Sequence, residues 1–425
     1  MLQNLLNKLI IYQNLKTDTI LNSISQAIEK NSAGEAITEK VYGAVHKLLD
    51  VATQYGFAKN LWKCYIAYLL ATTETPFTLA AERRGALNGS VNQLVKLDLE
   101  SIFNIYRYDF TQLDSALPEK IFAILTNYQA VQKREEIVNA SVSAKVIHLM
   151  EEMDKADNLE SLYNVLTDFY KTYGVGALGL NRAFRLSDEG VVLPITHPGA
   201  VQLTDIALYE SQKQRLEANT LAFLHQKPAN NALLYGDAGT GKSTMIKGLL
   251  TKYEKDGLRM IEIYKHEFKH LSKVISQIKN RNYRFVLYLD DLSFEEFEVE
   301  YKYLKAIIEG GLEVRPENII IYATSNRRHL IRETWEDRPD TVLNDMHSTD
   351  TVTEKLSLSE RFGLKIGFFR PSQDEYYSIV QAIATREGLQ INNNELFAEA
   401  KKFSMSHSGF SGRTAEQCVK YLMGK

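Results

Sequence analysis

Apolar positions in the first part of the chain recur with the 3.6-residue period of a helix that buries one face. Val41, Ala44, Val45, Leu48, Leu49 and Ala52 follow the i, i+3, i+4, i+7 spacing. Leu61, Tyr65, Ile66, Leu69 and Leu70 repeat it, and so do Leu94, Val95, Ile102, Ile105 and Tyr106. On this pattern roughly the first 190 residues read as helices. No proline precedes Pro76, and Pro118 stands where a helix would start. Trp62, Tyr65, Tyr68, Phe103, Tyr106, Tyr108 and Phe110 fall at helical spacing, which favours core packing over a ligand box. Arg83-Arg84 reads as a solvated pair. No repeat period supports a solenoid.

Beyond residue 200 the pattern changes. Short apolar runs at Ala232–Tyr235, Leu258–Ile263, Phe285–Leu289, Ile319–Tyr322 and Leu364–Phe369 are separated by helical stretches. Such alternation predicts a parallel sheet with helices on both faces. After Pro371 the pattern is helical to the last residue. The turn-rich stretch Leu193-Pro194-Ile195-Thr196-His197-Pro198-Gly199 marks the border between the two regimes. Just before it, Gly174-Val175-Gly176-Ala177-Leu178-Gly179 fits the dinucleotide fingerprint G-x-G-x-x-G. That fingerprint has meaning only after a strand and at the opening of a helix. Here a helix-like segment, Leu162 to Tyr170, precedes it, so a flexible loop or hinge is expected.

Composition narrows the class. A chain of 425 residues should hold two or three domains. Its 50 basic and 53 acidic residues leave a net charge of −3, with an isoelectric point near 6.4. Bulk charge therefore gives no support for a nucleic-acid partner, although a local basic patch could sit inside it. Cys64 and Cys418 lie too far apart to suggest a disulfide framework or a zinc site. Met1 to Leu6 lacks the features of a secretory leader. The most apolar window, Leu61 to Ala71, is interrupted by Lys63 and too short for a bilayer. A cytoplasmic protein without a membrane partner is expected.

The chemistry concentrates at Gly236-Asp237-Ala238-Gly239-Thr240-Gly241-Lys242-Ser243, followed by Thr244. The pattern G-x-x-x-x-G-K-[ST] wraps backbone amides around the phosphates of a nucleoside triphosphate. Its glycines permit positive φ and close approach of the chain to the anion. A following helix N-terminus aims N–H groups and partial positive charge at the same place. Lys242 would reach the β- and γ-phosphates and the Ser243 hydroxyl would ligate Mg²⁺.

Two further strand ends join this loop. Phe285 to Leu289 runs into Asp290 and Asp291, and ligands gather beyond the carboxyl ends of parallel strands. Asp290 is placed to hold Mg²⁺ beside Ser243, and Asp291 to orient or deprotonate water. The alternative is an Asp pair capping a helix near Phe294. Ile319 to Ser325 ends at Asn326, whose amide could bind the γ-phosphate and the attacking water, or cap the next turn.

These segments together resemble the AAA+ ATPases. Val201 to Lys213 is similar to the AAA+ segment that precedes the phosphate loop and lines the adenine pocket. Leu358-Ser359-Glu360-Arg361-Phe362-Gly363 resembles the segment carrying the arginine finger, and Ser408 to Ala415 resembles the second sensor, with Arg413 on a helical lid. More narrowly, residues 290–295, 323–330 and 355–364 resemble a bacterial family of predicted AAA+ ATPases, domain of unknown function 815, the similarity covering roughly residues 174 to 423.

The resemblance implies an α/β P-loop (AAA+) core with a parallel sheet and a C-terminal helical lid, preceded by an all-α N-terminal domain. The expected division is 1–173 helical and partner-binding, 174–200 linker, 201–370 nucleotide-binding with an insert at 327–358, and 371–425 lid. It implies ATP and Mg²⁺ as cofactors, and hydrolysis by Lys242, Asp291, Asn326, Arg361 and Arg413. Arg361 would act on a neighbouring subunit in a homo-oligomer, and the partner of the N-terminal domain is an unnamed protein. A nucleotide-gated switch with negligible turnover is the second expectation, and a DNA-complex loader rests on analogy alone. Asp291 stands where the superfamily usually has Glu, which leaves room for slow hydrolysis or for a base at Glu295 or Glu296. Arg327 and Arg328 could touch a neighbour's nucleotide or open a solvated helix.

Overall fold

The computed structural model describes residues 2–85, 89–130, 139–294, 300–309, 316–326, 358–407 and 409–425. The insert at 327–358, except for its last residue, and Glu295, Glu296, Arg327 and Arg328 lie outside them. The chain divides into two compact units, Met1–Asn181 and Arg182–Lys425.

In the first unit the expected helical faces form a single core. Val41, Ala44, Leu48 and Ala52 are buried on Thr38–Tyr55, and Leu61, Tyr65, Ile66 and Leu70 on Leu61–Thr72. On Ser90–Tyr106 the buried stripe runs through Val95, Leu99, Ile102 and Ile105, whereas Leu94, expected inside, is 38% exposed. Proline opens a helix at Pro76, under a Thr75 capping box. Pro118, expected at a helix start, instead lies in the turn before Ile121–Leu125. Trp62 and Phe110 pack edge to face at 5.0 Å, and the Trp62 indole donates to the Ile105 carbonyl. Fully buried Asp98 accepts the backbone N–H groups of Ile10, Ile11 and Tyr12 at 2.8, 2.7 and 2.9 Å.

The G-x-G-x-x-G stretch closes this unit and is filled by the chain itself. Gly174 and Gly176 both adopt positive φ, 79° and 68°. The Val175 N–H between them donates to the buried Glu82 carboxylate at 3.1 Å. A Cβ on Gly176 would overlap the Glu74 carboxylate.

The second unit is built on a seven-stranded sheet of order β2-β1-β4-β5-β6-β3-β7. Its strands are β1 (Ala183–Leu186), β2 (Val192–Pro194), β3 (Ala232–Gly236), β4 (Leu258–Glu262), β5 (Arg284–Leu289), β6 (Ile319–Ser325) and β7 (Leu364–Phe368). All pairings are parallel except the β1–β2 hairpin. Strands β3 to β7 are the five read from apolar runs. The span 174–200, expected as a linker, is instead divided: Gly176–Leu180 is a helix of the first unit, and β1 and β2 form one edge of the sheet.

The opposite edge, β7, is covered by the helix Glu210–Leu224 and the residue before it. Arg215, Gln212 and Tyr209 donate in turn to the carbonyls of Lys365, Gly367 and Phe369. This removes the acceptors that an edge strand would otherwise expose. Three helices, Gln373–Arg386, Asn393–Met405 and Gly412–Met423, form their own cluster around Tyr376, Val380, Leu396, Ala400, Cys418 and Val419. Among the described residues no helix is long and apolar enough to cross a membrane.

Candidate functional site

The glycine loop leaves the centre of the sheet because β3 lies between β6 and β7. At Gly236 (φ 129°) a Cβ would overlap the Phe368 carbonyl, so only glycine fits the exit from the strand. Asp237 N–H donates to that same carbonyl at 2.8 Å, and the Asp237 carboxylate accepts the Arg370 N–H at 2.9 Å. Gly239 and Gly241 carry φ of 77° and 94° and turn the chain into the helix Lys242–Tyr253. Its first turn presents unpaired N–H groups and the positive end of the helix dipole.

Lys242 is 6% exposed. Its ammonium donates to the carbonyls of Gly236 and Asp237 at 3.0 and 2.7 Å and to Asn326 Oδ1 at 3.0 Å. Burial pulls its pKa below the ordinary lysine value, against the opposing pull of Asp237, Asp291 and Asp290. Asn326 in turn donates through Nδ2 to Asp291 Oδ1 at 2.7 Å. Asp291 holds an uncommon left-handed backbone, φ 49°, which its own N–H fixes by donating to Thr324 Oγ1 at 2.9 Å. It does not cap a described helix.

Ser243 Oγ donates to Asp290 Oδ1 at 2.7 Å, and Thr324 Oγ1 donates to the same oxygen at 2.6 Å. Burial pushes the Asp290 carboxyl upward, but the hydroxyls around it, Thr324 first, then Tyr288 and Ser243, outweigh it and hold the pKa below the ordinary 3.8. Thr324 thus joins both aspartates through one hydroxyl. Nothing but its place two residues before Asn326 marks it in the sequence.

The loop, Asp290, Asp291, Thr324 and Asn326 line one cleft of about 630 Å³. Its other wall comes from residues 205–209 and from the helical cluster: Ile379, Ile383, Arg386, Gly412, Arg413 and Glu416. Arg413 is tied to the loop by its N–H, which donates to the Gly239 carbonyl at 3.2 Å, two residues after the Ser411 N-cap. Arg386 pairs with Asp205 at 3.4 Å across the cleft's wall. Ile379, Ile383 and Arg386 share a face of one helix, yet nothing in their spacing points to a ligand. Arg361, expected to act on a neighbouring copy, does not line this cleft. It is exposed and precedes the N-terminal end of β7, whereas the loop follows the C-terminal end of β3. A five-residue strand, roughly 16 Å long, separates the two positions.

A cleft of this composition fits a Mg²⁺-bound triphosphate. Two hard oxygen donors, Ser243 and Asp290, stand together, and no group of three His, Cys, Asp or Glu among the described residues could hold a metal ion by itself. Mg²⁺ typically takes one or two protein ligands and completes its shell with phosphate and water.

A phosphate loop leaving a mostly parallel sheet, under a C-terminal helical cluster, defines an AAA+-type α/β core. The chain belongs to the family described as Protein of unknown function (DUF815), whose model matches residues 180–425. The helical unit lies almost wholly outside that match. Among solved structures, the chain is similar to the RuvB Holliday junction branch migration motor of Thermotoga maritima: 16% identity, 50% of this chain, 61% of that one, TM-score 0.35. It is also similar to the FIGL-1 AAA domain in complex with ADP: 18% identity, 53% of this chain, 73% of that one, TM-score 0.37. A curated protein, mellein synthase of Phaeosphaeria nodorum, is 25% identical over 161 residues, which are 36% of this chain and 8% of the synthase.

Proposed function

We propose that this chain binds Mg-ATP and hydrolyses it as an AAA+ ATPase. The observation that carries the reading is the network in which Lys242, Asn326, Asp291, Thr324, Asp290 and Ser243 are joined hydrogen bond by hydrogen bond at the mouth of the glycine loop. The loop amides and the helix N-terminus receive the phosphates. Lys242 and Arg413 bring positive charge to the terminal phosphoryl group. Ser243 and Asp290 would hold Mg²⁺, which would supply neutralisation of the phosphate charge. Asp291 and Asn326, fixed against each other, align the attacking water.

Arg361 lies too far from its own loop to act there, so its role as a finger requires a neighbouring copy, and turnover per subunit should rise with protein concentration. Recognition of a protein partner is assigned to the helical unit, and a pull-down with the Asp291→Ala form, which should retain nucleotide, tests it. A steady-state phosphate-release assay tests the activity. Wild-type protein should exceed Lys242→Ala by at least roughly tenfold, since one lost charge-stabilising donor costs 10²–10³ in turnover. Equal rates favour the second reading, a nucleotide-gated switch, which the short Asp291 side chain and its hold by Asn326 support. Arg361→Ala should abolish the concentration dependence; unchanged turnover at saturating protein contradicts the finger.

A further inference from the structure

Strands β5 and β6 pair with Tyr288 opposite Tyr322, so the two phenols stand side by side on one face of the sheet. Both are fully buried. The Tyr322 hydroxyl is satisfied by Thr220 Oγ1 at 2.9 Å and Asn219 Nδ2 at 3.1 Å. The Tyr288 hydroxyl makes no hydrogen bond of normal geometry. A buried, unpaired hydroxyl is costly, and phenylalanine would fill the same space without that cost. What surrounds this hydroxyl is the candidate cation site: Asp290 and Ser243 adjoin it, and Glu262 lies beyond. Lys247 places its ammonium 5.6 Å from the ring centre and 3.6 Å from Glu262. Asp290 follows two residues later, just past the end of β5. Both of its described O–H donors, Ser243 and Thr324, act on Oδ1.

We propose that Tyr288 is a positioning residue for the cation site, its hydroxyl the reserve donor that holds the Asp290 carboxylate when Ser243 and Asp290 are drawn to Mg²⁺. The inference rests on the Mg-ATP reading above. Partners of this kind orient metal ligands, and their loss costs roughly 10- to 100-fold in metal affinity.

Tyr288→Phe removes one oxygen and tests this directly. The thermal midpoint of the protein without nucleotide or Mg²⁺ should stay level or rise. The Mg²⁺ concentration for half-maximal binding of a fluorescent N-methylanthraniloyl-ATP should rise about tenfold, while binding without Mg²⁺ stays unchanged. In an Asp290→Asn background the same substitution should have no further effect. A wild-type Mg²⁺ midpoint in Tyr288→Phe, or a lowered thermal midpoint, overturns the proposal, because the hydroxyl would then serve packing or a buried water. Absence of Mg²⁺-dependent binding in the wild type overturns the Mg-ATP reading itself, and this inference with it.

Discussion

Two glycine-rich loops stand in this chain, and they have opposite fates. Gly174 to Gly179 and Gly236 to Gly241 both use positive-φ glycines to expose backbone N–H groups. In the first, the anion is already present: Glu82 accepts the Val175 N–H and Glu74 occupies the space beside Gly176. In the second, Asp237 turns to the Arg370 N–H, Asp290 and Asp291 stand at a strand end, and Lys242 and Arg413 stand at the loop instead. Glycine spacing alone says that a backbone can turn tightly around an anion. The anion's source is decided by what the neighbouring elements place there, a carboxylate from a packed helix or an open cleft beside the C-terminal helices.

The largest effect expected from breaking this contrast is at Lys242. Lys242→Ala should lower Mg-ATP affinity by roughly 100-fold or more, because the terminal phosphates lose their buried charge partner; calorimetric titration measures it. Next, Glu82→Ala should destabilise the first unit by about 2 kcal/mol, leaving a buried N–H without its carboxylate, and should leave Mg-ATP affinity unchanged. Denaturant unfolding and the same titration check both halves, and a loss of affinity would join the two loops functionally.

A smaller effect concerns pH. The Asp290 carboxyl is held below its ordinary 3.8 in the folded state. Its contribution is therefore fully present above that value and is lost as pH falls through the lowered folded value. Asp290→Asn should flatten the acid limb of the unfolding curve below about pH 4.

The smallest effect is at Cys64, where burial first and Asp154 second push the thiol to about 12. Iodoacetamide at pH 8 should leave it unmodified in folded protein and label it in urea.

Much of the second unit was legible because a parallel strand buried on both faces reads as an apolar run: β3 to β6 announce themselves this way, and the half-exposed edge strand β7 through the short run at its position. The hairpin β1–β2 does not. It has only short strands at an edge, interrupted by Asp188, Glu189 and Gly190, with Val191 and Leu193 37% and 40% exposed. The loop, Asp290, Asp291 and Asn326 were readable because strand ends bring chemistry together by register. Arg386 and Ile379 were not, since their place in the cleft depends on packing between elements distant in sequence, and Thr324, on the same strand end as Asn326, reads there as an ordinary small polar residue. Tyr288 was hidden for the opposite reason: inside an apolar run, a phenol looks like any other core side chain.

The contrast between the two loops is tested most directly by photo-crosslinking with 8-azido-ATP and Mg²⁺, followed by peptide mapping. Adducts that ATP competes away should fall within Val201–Tyr209 and Ile379–Arg386, the segments that wall the cleft beside Gly236–Ser243. Competed adducts within Tyr173–Leu180, or none in either wall of the cleft, would contradict the assignment of the triphosphate to the second loop.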